Sequence, residues 1–374
     1  MLNLYFDNAA TSFPKPAAVA EYTSLYFNKS CGTYGRAAYP RIIGSTGTVE
    51  KLRELVAGIL GVGNAENVVF TNNATQAINT ILFGLDLHDC NILVSPLEHN
   101  AVMRPLLEIS HRNNISYDIL PHAPDGLIDL DKIGAYIRPA TRLVIINHQS
   151  NVNGLIQPVK EIKARVGNIP VMIDLSQSLG HIDITTDTWE VDLAVFTGHK
   201  GLLGPTGTGG FFIKDKSLVK PLIYGGTGSS STSYEMPSVL PDKFEAGTPN
   251  VAGFYGLLGA LEYRPASNHT KSEFICLLDC VSNIRNINVL RSSQTCSQGS
   301  LFSITHSNLD SGKLAEILYS RFNIETRSGL HCSPLAHQTL GTFPEGSVRF
   351  AMSPYHSKED FAYLLKALET VSSL

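Results

Sequence analysis

The stretch Phe196–Gly210, FTGHKGLLGPTGTGG, sets one lysine, Lys200, among glycines, threonines and a proline, directly after the apolar run DLAVF. Small turn-forming residues behind such a run mark the end of a strand. A long cation there is either an ordinary surface lysine or a reactive amine, and the neighbouring strand ends decide between them.

Working outward, further β-rich runs are NVVF, NILVSP, YDIL, RLVIIN and PVMIDL, most of them separated by enough chain for a crossover helix. Several are apolar throughout rather than alternating, as expected of strands covered on both faces, so the pattern predicts a mainly parallel sheet wrapped by helices. Ligands of such sheets bind at the carboxyl ends of the strands. There the sequence places TNNATQ, LEHN, HQSNVNG, LSQS and TGHK, so polar side chains follow five different strands. VEKLRELVAGILG has helical spacing and stops on Gly61.

After about residue 262 the pattern changes. Pro265 is expected to end the helix VAGFYGLLGALEY, and LFSITH, SGKLAEILYSRF, SVRFAM and SKEDFAYLLKALETV suggest a smaller α+β lobe. Ser357 is a suitable N-cap for the last of these, with Glu359 and Asp360 in its first turn. The division expected is residues 1–20 as an N-terminal segment packing with the small domain, 21–255 as a large ligand-binding domain, and 256–374 as a small C-terminal domain.

Bulk properties narrow the class. The 374 residues are 43% hydrophobic and 17% charged with a net charge of −4, which gives no reason to expect nucleic acid or an anionic membrane as partner. No apolar run approaches a membrane span and the N-terminus lacks a basic leader, so a cytoplasmic location is expected. Six cysteines, at 31, 90, 276, 280, 296 and 332, are too thinly spread for a disulfide scaffold. Cys276 and Cys280 lie one helical turn apart without a second ligand pair, so no metal is expected.

Asp174 and Lys200 end neighbouring strands. A carboxylate and an amine placed so suit pyridoxal phosphate, whose aldehyde needs a lysine and whose ring nitrogen needs an acid. Its phosphate needs a helix N-terminus, which NNATQAIN offers around Thr75. Gln177, one turn past Asp174, is placed to reach the ring hydroxyl, and His99 to lie on the ring. A nucleotide P-loop is excluded because the lysine precedes its glycines. A dinucleotide fingerprint is excluded because GILGVG ends a helix rather than opening one.

With these residues in view, the chain resembles the class V group of pyridoxal-phosphate enzymes with the aspartate-aminotransferase fold (fold type I), and within it the cysteine desulfurases of the SUF type. The resemblance rests on YFDNAATSFPKP, NNATQAIN, EHNAV, SNVNG, IDLSQS, TGHKGLLGPTGTGG, FEAGTPN and RSGLHC, spread over nearly the whole chain. It implies that Lys200 carries the cofactor as a Schiff base and His99 stacks on the ring. It implies that Asp174 meets the ring nitrogen, Gln177 the ring oxygen, and Thr75, Thr197 and His199 the phosphate. Asn151 is implied for cofactor and substrate, and Arg349 and Arg327 for substrate. Thr248 is implied to reach the phosphate of a second subunit, hence a homodimer.

In the same resemblance Cys332 is the nucleophile that takes sulfur from L-cysteine as a persulfide and leaves alanine. Its neighbours Arg327 and His331 are expected to favour the thiolate. His99 is expected to move a proton at the substrate thiol as a group titrating near neutrality. A sulfur carrier or an iron–sulfur scaffold is implied as acceptor. Selenocysteine lyase, or a class V aminotransferase or epimerase in which Cys332 is incidental, are the alternatives, as is a sulfur-carrier binding module without catalysis. Asn100, Leu330 and Ala74 depart from the SUF-type pattern.

Overall fold

The structure is a computed structural model that describes residues 2–35 and 38–374. The large sheet contains β1 (Val68–Thr71), β2 (Asn91–Val94), β3 (Ser116–Ile119), β4 (Thr141–Asn147), β5 (Val171–Asp174), β6 (Leu193–Thr197) and β7 (Gly209–Ile213). Their order is β1-β7-β6-β5-β4-β2-β3. The pairs β2–β3, β2–β4, β4–β5 and β5–β6 are parallel, while β7 runs antiparallel to both neighbours.

The continuous apolar runs now have a cause. Side chains alternate across the sheet, and each face has its own core. Leu93, Val144, Ile146, Val171, Ile173, Ala194 and Phe196 belong to one, covered by the helices Pro40–Leu60, Val159–Val166 and Val251–Glu262. Ile92, Val94, Leu143, Ile145, Met172, Leu193 and Val195 belong to the other, covered by Ala74–Gly84 and Asn100–Asn113.

The strand β7 is absent from the sequence reading because its leading glycines look like loop. They are needed for closeness: a Cβ on Gly209 would lie 2.7 Å from Asn73 Cα, and one on Gly210 would lie 2.3 Å from Val69 O. The helix ending at Gly61 also starts earlier than its apolar spacing indicates, with Pro40 in its first turn. Gly61 is left-handed at φ 67°, as a stop residue should be.

The second sheet is antiparallel, with β8 (Ile287–Leu290), β9 (Leu301–His306), β10 (Arg327–Gly329) and β11 (Ser347–Ala351) in the order β10-β11-β9-β8. The helices Lys271–Ser282, Ser311–Phe322 and Lys358–Val371 pack on it around Phe302, Ile304, Val348 and Phe350. In the last helix Ser357 and Asp360 form a reciprocal capping box. Ser357→Ala is expected to cost about 1 kcal/mol, read as a lower midpoint in thermal unfolding.

Two expected boundaries need correction. The N-terminal segment does join the small lobe at first: Phe6 is buried in its core, and Tyr5 and Asp7 bridge to Glu325 and Ala351. Ala17–Leu25 is a helix, however, so a boundary at 20/21 cuts it, and it packs against Val251–Glu262 of the large lobe. That second helix meets no proline before Pro265, so a boundary at 255/256 also falls inside a helix. None of the helices described is long and apolar enough to cross a membrane.

Candidate active site

The ends of β1, β2, β4, β5 and β6 surround a cleft of about 500 Å³. Thr75, His99, Asn151, Asp174, Gln177, Thr197, His199 and Lys200 all line it. Thr75 is in the first turn of the helix Ala74–Gly84, capped by Asn73, whose Oδ1 accepts the Gln76 N–H at 2.9 Å. The Ala74 and Thr75 N–H groups fall where no intrahelical carbonyl can reach, so this end suits an anion. Among the lining residues Asn147 Oδ1, Gln149 Oε1 and His199 Nδ1 are buried and find no partner in the protein.

Asp174 closes β5 as a buried carboxylate whose Oδ1 accepts the Ser176 N–H at 2.8 Å. Gln177 donates through Nε2 to Ala9 O at 2.9 Å, which orients its amide. Thr197 Oγ1 is 3.4 Å from Thr208 O. The carbonyl of His199, just before Lys200, accepts from Ser12 N (3.0 Å), Ser12 Oγ (3.1 Å), Thr11 Oγ1 (3.1 Å) and Lys15 Nζ (3.3 Å). Nothing in the sequence around Lys200 signals this anchor. Burial, opposed by Asp174, brings the Lys200 amine down to about 8, so a useful fraction is neutral near physiological pH.

His99 caps the helix Asn100–Asn113, its Nδ1 accepting the Ala101 N–H at 3.0 Å. That bond puts the ring proton on Nε2. Burial first, then Lys200, push its pKa down to about 4. The expectation that His99 titrates near neutrality is therefore corrected: the ring is neutral at pH 7.

The small lobe reaches the cleft through the Cys332 loop. Asn151 Nδ2 donates to His331 O at 2.8 Å and its Oδ1 accepts from Ser333 Oγ at 2.7 Å. The Asn100 N–H, next to His99, donates to Cys332 O at 2.8 Å. His331 and Cys332 both adopt left-handed backbone, at φ 51° and 59°, which side-chain-bearing residues seldom do. Cys332 is exposed, and Arg327 Nη2 lies 3.6 Å from its Sγ.

His331 corrects another expectation. It is buried, its Nε2 is 3.1 Å from Ser347 Oγ, and burial followed by Arg349 drives its pKa far down. A neutral ring pointing to Ser347 adds no positive charge beside the thiol; Arg327 supplies it.

Arg349 does not line the cleft itself. It is buried, with Nη2 paired to Asp7 Oδ1 at 2.8 Å, Nη1 donating to Asn151 O at 3.1 Å, and Nε without a partner. Thr248 is exposed on the loop before Val251–Glu262, outside the cleft of its own chain. Asp7, Ser12, Asn147 and Ser333 were not singled out from sequence.

A parallel-sheet lobe with a lysine and an acid at adjacent strand ends, and a second lobe presenting a thiol, define a two-lobed α/β enzyme class. The aminotransferase class-V family model matches residues 4–364, and the chain belongs to that family. A probable cysteine desulfurase of Methanothermobacter thermautotrophicus is 31% identical, over 100% of this chain and 95% of the relative. The cysteine desulfurase CsdA of Escherichia coli is 29% identical, over 99% of this chain and 94% of its own. Among solved structures, a cysteine desulfurase of Thermococcus onnurineus superposes with a TM-score of 0.91 at 26% identity, covering 99% of this chain and 94% of that one.

Proposed function

We propose that this protein is a pyridoxal-phosphate-dependent cysteine desulfurase that converts L-cysteine to L-alanine and leaves the sulfur as a persulfide on Cys332. The observation that carries the reading is the loop holding Cys332, fastened to Asn151 and to the Asn100 N–H beside the cleft that contains Lys200 and Asp174. The cofactor fits the residues present: a helix N-terminus for phosphate, buried Asp174 for a cationic ring nitrogen, and unpartnered polar atoms along the wall. When bound, it supplies an aldehyde that condenses with amines and a ring that takes up electrons released at the substrate Cα.

The protein's own groups divide the remaining work. Lys200 holds the cofactor and its amine accepts the Cα proton. The neutral His99 ring would pack against the cofactor, and its Nε2–H is free of the Nδ1 bond to Ala101. Thr75, Thr197 and His199 would hold phosphate and Gln177 the ring oxygen, while Asn151, bonded to the cysteine loop, would also meet the cofactor. The Cys332 sulfur, 3.6 Å from Arg327 Nη2, attacks as thiolate and forms a bond to the substrate sulfur as the Cβ–S bond breaks, and the carbon takes up protons to give alanine.

Arg349, with Arg327, receives the substrate carboxylate. Guanidinium presents a fixed fork that ammonium lacks. Arg349→Lys is therefore expected to raise KM for cysteine about tenfold or more with a smaller change in kcat, measured as alanine release against cysteine concentration.

Thr248 serves the phosphate site of a second copy, making the protein a homodimer. A sulfur carrier or iron–sulfur scaffold receives the persulfide, and the enzyme acts in the cytoplasm. The deciding experiment supplies the cofactor-loaded protein with cysteine or selenocysteine and follows alanine. Alanine and protein persulfide from cysteine are expected. A keto acid from cysteine, or alanine from selenocysteine alone, would overturn the reading.

A further inference from the structure

Below the cleft lies a second carboxyl that none of these steps uses. Glu98, between β2 and the helix Asn100–Asn113, is completely buried. Its Oε1 accepts from Ser95 Oγ at 2.7 Å and from the Asn147 backbone N–H at 2.7 Å, while Oε2 is buried with no partner. A carboxylate has lone pairs on both oxygens to satisfy, and leaving one oxygen bare in a dry site strongly disfavours the charged form.

Asn147 presents the complementary defect. Its side-chain Oδ1 is also buried without a donor, although its backbone is bonded to Glu98. On β4 it stands opposite Asp174 of β5, so Glu98, Asn147 and Asp174 follow one another across the strand ends. A proton on Oε2 removes the charge that this bare oxygen of Glu98 would carry. Burial above all, with the charge of Asp174 assisting against the Ser95 bond, holds the Glu98 acid up at about 8.

We propose that Glu98 is a positioning residue, a buried acid that keeps its proton on Oε2 and holds the Asn147 backbone through Oε1. The end of β4 at the cleft wall is thereby fixed without a second buried carboxylate charge near Asp174. Glu98 is fully buried with one oxygen bare, so the neutral form is the one its surroundings favour. The inference rests on the reading of Asp174 as the partner of the ring nitrogen.

The test uses the cofactor-loaded protein. An infrared difference spectrum at pH 7, wild type minus E98Q, is expected to show the carbonyl band of a protonated carboxyl. Loss of a carboxylate band pair instead would overturn the proposal. Glutamine offers the same donor and acceptor without charge, so E98Q is expected to retain affinity for pyridoxal phosphate within about twofold, whereas E98L loses about tenfold or more. A fall in E98Q as deep as in E98L would likewise overturn it, and should E98L not fold, the infrared spectrum and E98Q still decide. Failure of the Asp174 reading shows differently: unchanged cofactor affinity in Asp174→Ala, with the infrared band intact.

Discussion

Cys332→Ala is expected to stop persulfide formation and to cut alanine release from cysteine by roughly a thousandfold or more, the scale on which loss of an essential nucleophile is felt. Cofactor absorbance should not change, because the Cys332 thiol is not among the groups lining the cleft and its backbone bond to the Asn100 N–H survives the substitution. The fold should not change either, since the thiol is exposed and its truncation opens no cavity. The measurement pairs alanine release with the absorbance spectrum of the same sample. Alanine release at the wild-type rate in this variant would make the thiol incidental and return the chain to general class V chemistry.

Lys200→Ala should remove the absorbance band that covalent attachment of the cofactor produces and, with it, turnover. General acid–base transfer alone accounts for roughly a hundred- to ten-thousandfold, and the variant loses both that and the point of attachment. The wild-type lysine carries a pH signature as well. Attachment requires the neutral amine, and burial sets the Lys200 pKa at about 8. The rate at which cofactor-free protein takes up pyridoxal phosphate should thus rise about tenfold per pH unit up to about 8 and level off beyond it. A flat profile through that range would show that the amine is not the group being titrated.

The sheet was legible because burial on both faces writes itself into continuous apolar runs, and the strand-end rule then pointed to Asp174, Lys200 and the residues after β1, β2 and β4. The cleft collects those residues because they share one edge. What stayed hidden is what local sequence does not encode. Gly209 and Gly210 read as loop because the reason for them is a neighbour's backbone. The partner of Arg349 is Asp7, 342 residues away, and the carbonyl before Lys200 is held from Ser12. His331 was misjudged because adjacency to Cys332 says nothing of direction: consecutive left-handed residues send its ring inward to Ser347 while the thiol faces out.

Residues 5–15 tie the two lobes together. Phe6 belongs to the core of the small lobe, its carbonyl accepts the Ala351 N–H of β11 at 2.7 Å, and Ser12 and Lys15 grip the carbonyl preceding Lys200. This segment therefore runs from the core and sheet of the small lobe to the backbone at the edge of the cleft. Contacts so distant in sequence carry a large loop-closure cost. A change that loosens Phe6 from the small-lobe core thus also slackens the strap that holds the His199 carbonyl beside Lys200.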